Sequence, residues 1–330
     1  MNKNVIWVEK YRPMTMGSVI GQKDIVDTIN SLLKNNNIQH MVFYGPPGTG
    51  KTTVAHNICR YFYNRSNDKE LNERILSNRL LELDASNDRG INIARLKIKN
   101  FIDFKLEKFD DIPDFKIIIL DEADALTQDS QYALRRMMDE SIEKVRFILL
   151  CNYIKKIIEP LLSRCSPFRF KNISLDSVKK IVNKIGRNEG FNINDEFVNT
   201  ITNISKGDLR IVINLLEQVK FTDPEMKIST LYKVSNVVDI NYLNFIWEEL
   251  NKKINISDFK KLSSDFYNTS YSSIYLLSFL TEKLIENNKT SNKILNEIAN
   301  ADSCISSNSD EYIYLLNIFI KINKVLICSD

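Results

Sequence analysis

The chain has 330 residues, 43% of them hydrophobic and 26% charged, the balance expected of an ordinary soluble globular protein, and its length predicts two or three domains. A net charge of +3 neither demands nor excludes nucleic acid, because a binding face needs local clustering rather than a basic whole. Five cysteines without paired spacing argue against a disulfide framework or zinc ribbon, the N-terminus lacks a signal-peptide core, and no run reaches the ~18 apolar residues of a membrane span, so an intracellular protein with reduced thiols is expected.

The first strong pattern is the apolar run Met41–Tyr44 followed by Gly45, Pro46, Pro47, Gly48, Thr49, Gly50, Lys51, Thr52 and Thr53, which reads as a strand turning through a phosphate-binding loop into a helix. Glycines let backbone N–H groups close round a polyphosphate, Lys51 can neutralise its outer charges, and the Thr52 hydroxyl suits Mg²⁺. Further short apolar runs at Leu80–Asp84, Lys116–Asp121, 146–152 and 168–170 alternate with helical periods at 51–63, 90–108 and 128–141. This alternation predicts an α/β fold, a parallel sheet flanked by helices. The polar stretch 64–78 reads as an enlarged loop.

Beyond Pro167 strand signals stop and a domain boundary near residue 170 is expected. Ser174 precedes an amphipathic run at Val178, Ile181, Val182 and Ile185, a helix is expected at 195–204, and another starts at Gly207-Asp208 and carries Leu209, Val212, Ile213 and Leu216. Helical periods then continue from 228 to 327. The predicted organisation is 1–170, a nucleotide domain; 171–233, a small helical lid; and 234–330, an all-helical domain.

The run Lys116–Asp121 is continuously apolar until it reaches Asp121-Glu122-Ala123-Asp124, so it delivers two carboxylates at a strand end: Asp121 suited to the metal, Glu122 to polarising an attacking water. Alone, such residues are also helix caps. Asn152 ends another strand, where an amide either orients water or simply turns the chain. Arg164, in Ser163-Arg164-Cys165, is either a surface arginine or one offered to a neighbour's γ-phosphate, and Arg210 could reach phosphates from its own chain. The helix after Asp84 carries Arg89, Arg95, Lys97, Lys99 and Lys105 off its apolar stripe, a candidate contact to a phosphate backbone or a solvated face. His40 and His56 have no metal-like spacing.

Trp7-Val8-Glu9-Lys10-Tyr11-Arg12-Pro13, the loop 43–52, Leu83 to Ile91, Ile119 to Asp124, Ser163-Arg164-Cys165 and Gly207-Asp208-Leu209-Arg210 occur in the order found in small subunits of replication factor C. The chain resembles that clamp-loader family, specifically through about residue 215 and beyond it only in length and helical character. The resemblance implies an AAA+ ATPase module, a lid and a collar within a heteropentamer of replication factor C subunits. It implies ATP-dependent loading of the sliding clamp (PCNA) onto primer–template DNA in the nucleus, with ATP and Mg²⁺ as cofactors and no membrane partner. By carry-over, Lys51 and Thr52 bind phosphate and Mg²⁺, Asp121 and Glu122 form the Walker B pair, Asn152 is sensor 1, Arg210 sensor 2, and Arg164 the finger given to the adjacent subunit. Tyr11, Arg12 and Pro13 would line the adenine side, Arg89 and Arg95 would track the duplex, and the Phe101–Phe104 region is where a clamp contact is expected. A protein remodeller, a DNA motor, or a structural subunit with little hydrolysis remain the alternatives.

Overall fold

The computed structural model describes residues 5–35, 38–64, 68–86, 91–107, 109, 112–269, 271–307 and 310–327. Five strands, β1 (Met41–Tyr44), β2 (Leu80–Asp84), β3 (Lys116–Asp121), β4 (Val145–Cys151) and β5 (Ser166–Arg169), form one sheet in the order β2-β3-β4-β1-β5. Every pairing is parallel. The register sets Tyr44 beside Cys151 and Asp84 beside Asp121, so the chain leaves several strands at one edge, where open α/β sheets place their ligands.

Side chains alternate faces along each strand. Met41, Phe43, Ile117, Ile119, Ile148 and Leu150 enter one core, while Val42, Ile118, Leu120, Phe147 and Leu149 enter the other. Because both faces are covered, β3 and β4 need apolar residues at nearly every position, which is why they read as unbroken runs.

Helices α1 (Trp7–Lys10), α2 (Lys23–Lys34), α3 (Lys51–Tyr63), α4 (Lys69–Arg79), α5 (Ile91–Asp103), α6 (Gln128–Glu140) and α7 (Glu159–Leu162) accompany the sheet, followed by α8 (Leu175–Glu189), α9 (Asp195–Ser205) and α10 (Leu209–Thr222). Helix α4 corrects the expectation of a loop at 64–78. Asp68 caps it, accepting from the backbone N–H of Glu70 and Leu71 at 2.9 and 3.4 Å, and Leu71, Ile75 and Leu76 dock on the first core. A polar composition hid a helix with one thin apolar edge. Its last residue, Arg79, is buried, donates to the carbonyls of Glu107 (2.6 Å) and Pro113, and lies over the rings of Tyr63 and Phe109.

The chain forms two compact units, Met1–Glu217 and Gln218–Asp330, divided within α10. The second is all-helical: α11 (Ile228–Ser235), α12 (Ile240–Leu250), α13 (Ile256–Tyr267), α14 (Ser273–Glu286), α15 (Asn292–Ser306) and α16 (Glu311–Ile327). Its own core gathers Ile246, Leu250, Phe266, Leu276, Leu280 and Phe319. Buried Asn323 on α16 donates to the carbonyls of Leu250 and Lys252 at 2.8 and 2.9 Å, satisfying the end of α12. Among the described residues no cysteine is disulfide-bonded and no helix is long and apolar enough to cross a membrane.

Candidate nucleotide site

The loop after β1 is shaped by glycine. Gly45 has φ 143° and a Cβ there would overlap the Phe170 carbonyl; Gly48 has φ 66° and a Cβ would overlap the Asp208 carboxylate. Both positions therefore require a residue without a side chain. Helix α3 begins directly after Gly50, with no side-chain cap and no acidic residue in its first turn, so its leading N–H groups remain free for an anion.

Lys51 is buried, and its Nζ donates to the carbonyls of Gly45 (2.7 Å) and Pro46 (2.9 Å) and to Oδ1 of Asn152 (3.0 Å). Burial pulls its pKa down, opposed by the charge of Asp121 and aided by that of Arg210. The sheet order explains the Asn152 contact, since β4 lies between β1 and β3.

The next residue, Thr52, donates to Oδ2 of Asp121 at 3.2 Å, while Oδ1 of Asp121 accepts the Glu122 N–H at 2.9 Å. Glu122 has φ 51° and an exposed side chain. Asp124 accepts the Tyr153 N–H at 3.1 Å, tying the acidic turn to the segment after β4. A hydroxyl beside a carboxylate is a donor set that fits Mg²⁺, which takes few protein ligands and fills its octahedron with phosphate oxygens and water.

These groups line a cleft of about 330 Å³ together with Tyr11, Arg12 and Pro13 from the N-terminal strap and Arg210 from α10. The Leu209 N–H meets the Gly48 carbonyl at 3.3 Å and Asp208 accepts the Arg210 N–H at 2.8 Å, so the start of α10 rests on the phosphate loop. Sequence reasoning missed Ile181, Lys184 and Ile185 of α8 and Ile213 of α10, which also line the cleft; the apolar stripes that carry the three isoleucines were visible, their exposure to the cleft was not. It also missed Gln22, whose buried amide donates to Lys171 O (2.7 Å) and accepts from Lys171 N (3.3 Å) beside the loop.

Arg164 and Arg95 do not reach this cleft. Arg164 donates to Asp139 of α6 from Nε (2.5 Å) and Nη2 (3.0 Å), and to the Pro160 carbonyl (2.8 Å). Arg95 is exposed on α5 and borders a second, mainly apolar cavity of about 380 Å³ with Ser86, Ile98 and Met137. Arg89 lies outside the described residues.

Residues 41–172 match the model of the ATPase family associated with various cellular activities (AAA). Replication factor C subunit 2 of Schizosaccharomyces pombe is 34% identical over 333 residues, covering 98% of this chain and 95% of that one. The replication factor C small subunit of Methanosarcina barkeri is 39% identical over 235 residues, covering 71% and 67%. In fold, the chain is similar to the Thermotoga maritima RuvB Holliday junction branch migration motor, with a TM-score of 0.53 at 16% identity, covering 81% of this chain and 91% of that one. The glycine-shaped loop, the paired acidic residues and the near full-length identity together place this AAA-type chain in the replication factor C small-subunit family.

Proposed function

We propose that the chain is an ATP-hydrolysing small subunit of a replication factor C heteropentamer, loading the sliding clamp (PCNA) onto primer–template DNA. The observation that best supports this reading is a division of labour. Lys51, Asp121, Glu122, Asn152 and Arg210 converge on one cleft, whereas Arg164, the arginine suited to a γ-phosphate, is anchored elsewhere by Asp139. Arg164 is not among the residues that line the cleft, so in this reading the arginine for the transition state comes from an adjoining subunit's equivalent of Arg164.

In this mechanism the backbone of the glycine loop and Lys51 hold the phosphates, Arg210 contacts them from the lid side, and Tyr11, Arg12 and Pro13 bound the adenine. Thr52 and Asp121 would hold Mg²⁺, which when bound supplies charge neutralisation on the phosphate oxygens. Glu122 accepts a proton from the attacking water, with Asn152 orienting that water. Arg95 and Arg89 would follow the duplex backbone through phosphate contacts, and the exposed Phe104 at the end of α5 belongs to the region expected to meet the clamp. A nuclear location follows the same reading and is checked by imaging a tagged chain.

The test is Arg164→Ala in the reconstituted complex. DNA-stimulated hydrolysis at the adjoining site is expected to fall by about 10³-fold or more, with ATP binding by the free chain unchanged. An isolated chain that hydrolyses ATP at the full rate as a monomer, indifferent to this substitution, would overturn the proposal. The alternative of a nucleotide-binding subunit without turnover is disfavoured by the placement of Glu122 beside Asp121.

A further inference from the structure

Glu189 is the last residue of α8, where a negative charge opposes the helix macrodipole and costs local stability. Its carboxylate is met there from the far end of the sequence. Lys10 donates to Oε1 at 2.5 Å and the Tyr11 hydroxyl donates to the same oxygen. Burial alone would raise the Glu189 pKa, but the bonds from Lys10 and Tyr11 outweigh it and the net direction is down. Tyr11 is pushed up to about 12, by burial first and then by Glu189.

The contact is one of several fastening the same two pieces. Trp7 stacks on Phe191 with centroids 6.1 Å apart and planes 7° from parallel. Phe191 is held against α8 by its N–H to the Gly186 carbonyl (2.9 Å), at a glycine whose Cβ would overlap the Phe191 carbonyl. The Trp7 N–H donates to Glu217 of α10 at 3.1 Å. The same strap, through Tyr11, Arg12 and Pro13, lines the cleft alongside Ile181 and Lys184 of α8.

We propose that residues 7–13 and helix α8 move as one body, with Glu189 the positioning residue that sets the nucleoside wall of the cleft by holding Tyr11. The strap thereby belongs mechanically to the lid, although sequence places it before the sheet. Closing the lid brings the nucleoside wall with it, and a bound nucleoside holds the lid closed. This inference rests on the cleft being a nucleotide site.

The test titrates a fluorescent N-methylanthraniloyl ATP analogue against the full chain and measures turnover in the reconstituted complex. Glu189→Ala is expected to weaken binding by about three- to tenfold, with kcat at saturating ATP within about twofold of wild type. Glu189→Gln, which retains an oxygen for Tyr11, loses less. The double variant Tyr11→Phe with Glu189→Ala loses less than the sum of the two single variants, because the Tyr11–Glu189 bond is common to both. In a Trp247→Phe background, nucleotide changes Trp7 emission, and Glu189→Ala abolishes that change. Wild-type affinity in Glu189→Ala, additive losses in the double variant, or an undiminished Trp7 response would each overturn the coupling. Should Glu189→Ala fail to fold, Glu189→Gln with unaltered affinity and Trp7 response does the same. A wild-type chain that fails to bind the analogue, with Lys51→Ala as the reference for lost binding, refutes the nucleotide reading itself.

Discussion

Glu122 occupies the left-handed region at φ 51°, a conformation that costs a residue with a side chain about 1 kcal/mol or more. It is held there by Asp121 Oδ1 accepting its N–H and by its own carbonyl accepting the Ala125 N–H at 2.8 Å. The Glu122 side chain is exposed and lines the cleft. Glu122→Gln keeps the shape and the bonds, so in the assembled complex ATP binding should persist while hydrolysis falls by about 10²–10⁴-fold, measured by single-turnover kinetics. Glu122→Gly removes both the strain and the proposed base. Its melting temperature is expected to be no lower than wild type, with hydrolysis equally impaired; a marked loss of stability would show that the side chain is structural.

At the scale of elements, His40 stands just before β1 and its Nδ1 accepts the Phe147 N–H of β4 at 3.1 Å. That bond requires a neutral ring, and burial lowers the pKa from 6.5 to about 4, with Arg146 adding to the effect. Between pH 6.5 and about 4 the unfolded chain binds a proton that the native chain does not, so stability falls as pH falls through this window. His40→Asn, whose amide oxygen can accept the same N–H, should flatten that part of the stability–pH curve in chemical denaturation. For α4, Asp68→Ala removes the cap and should cost about 1 kcal/mol, read from the same denaturation experiment. These elements also mark what sequence could disclose. β1, β3 and the loop at 45–53 were legible because their signals are local: continuous burial, glycine spacing, a carboxylate pair. The polar helix α4 was not, its apolar edge being too thin to stand out. Gln22 and Glu189 were invisible because their work is done against partners 149 and 179 residues away, and no local period encodes that.

Across the whole molecule, the units Met1–Glu217 and Gln218–Asp330 each enclose a core of their own. The candidate cleft lies wholly in the first. Calorimetry of the full chain should resolve two transitions, of which one moves up by about 5–10 °C at a hundredfold excess of ATP over its dissociation constant and the other stays. A single transition, or two that shift together, would show that the units unfold as one. The helical character of the second unit was legible from its periodicity, and its chemistry was not, since a helical core carries no motif. The anchoring of Arg164 has a consequence at this scale. Its guanidinium donates to Asp139 and the Pro160 carbonyl within its own chain, so a surplus copy presents an already engaged cation at that edge. If Arg164 engages a neighbour's phosphate as proposed, it must first exchange the Asp139 carboxylate for that anion.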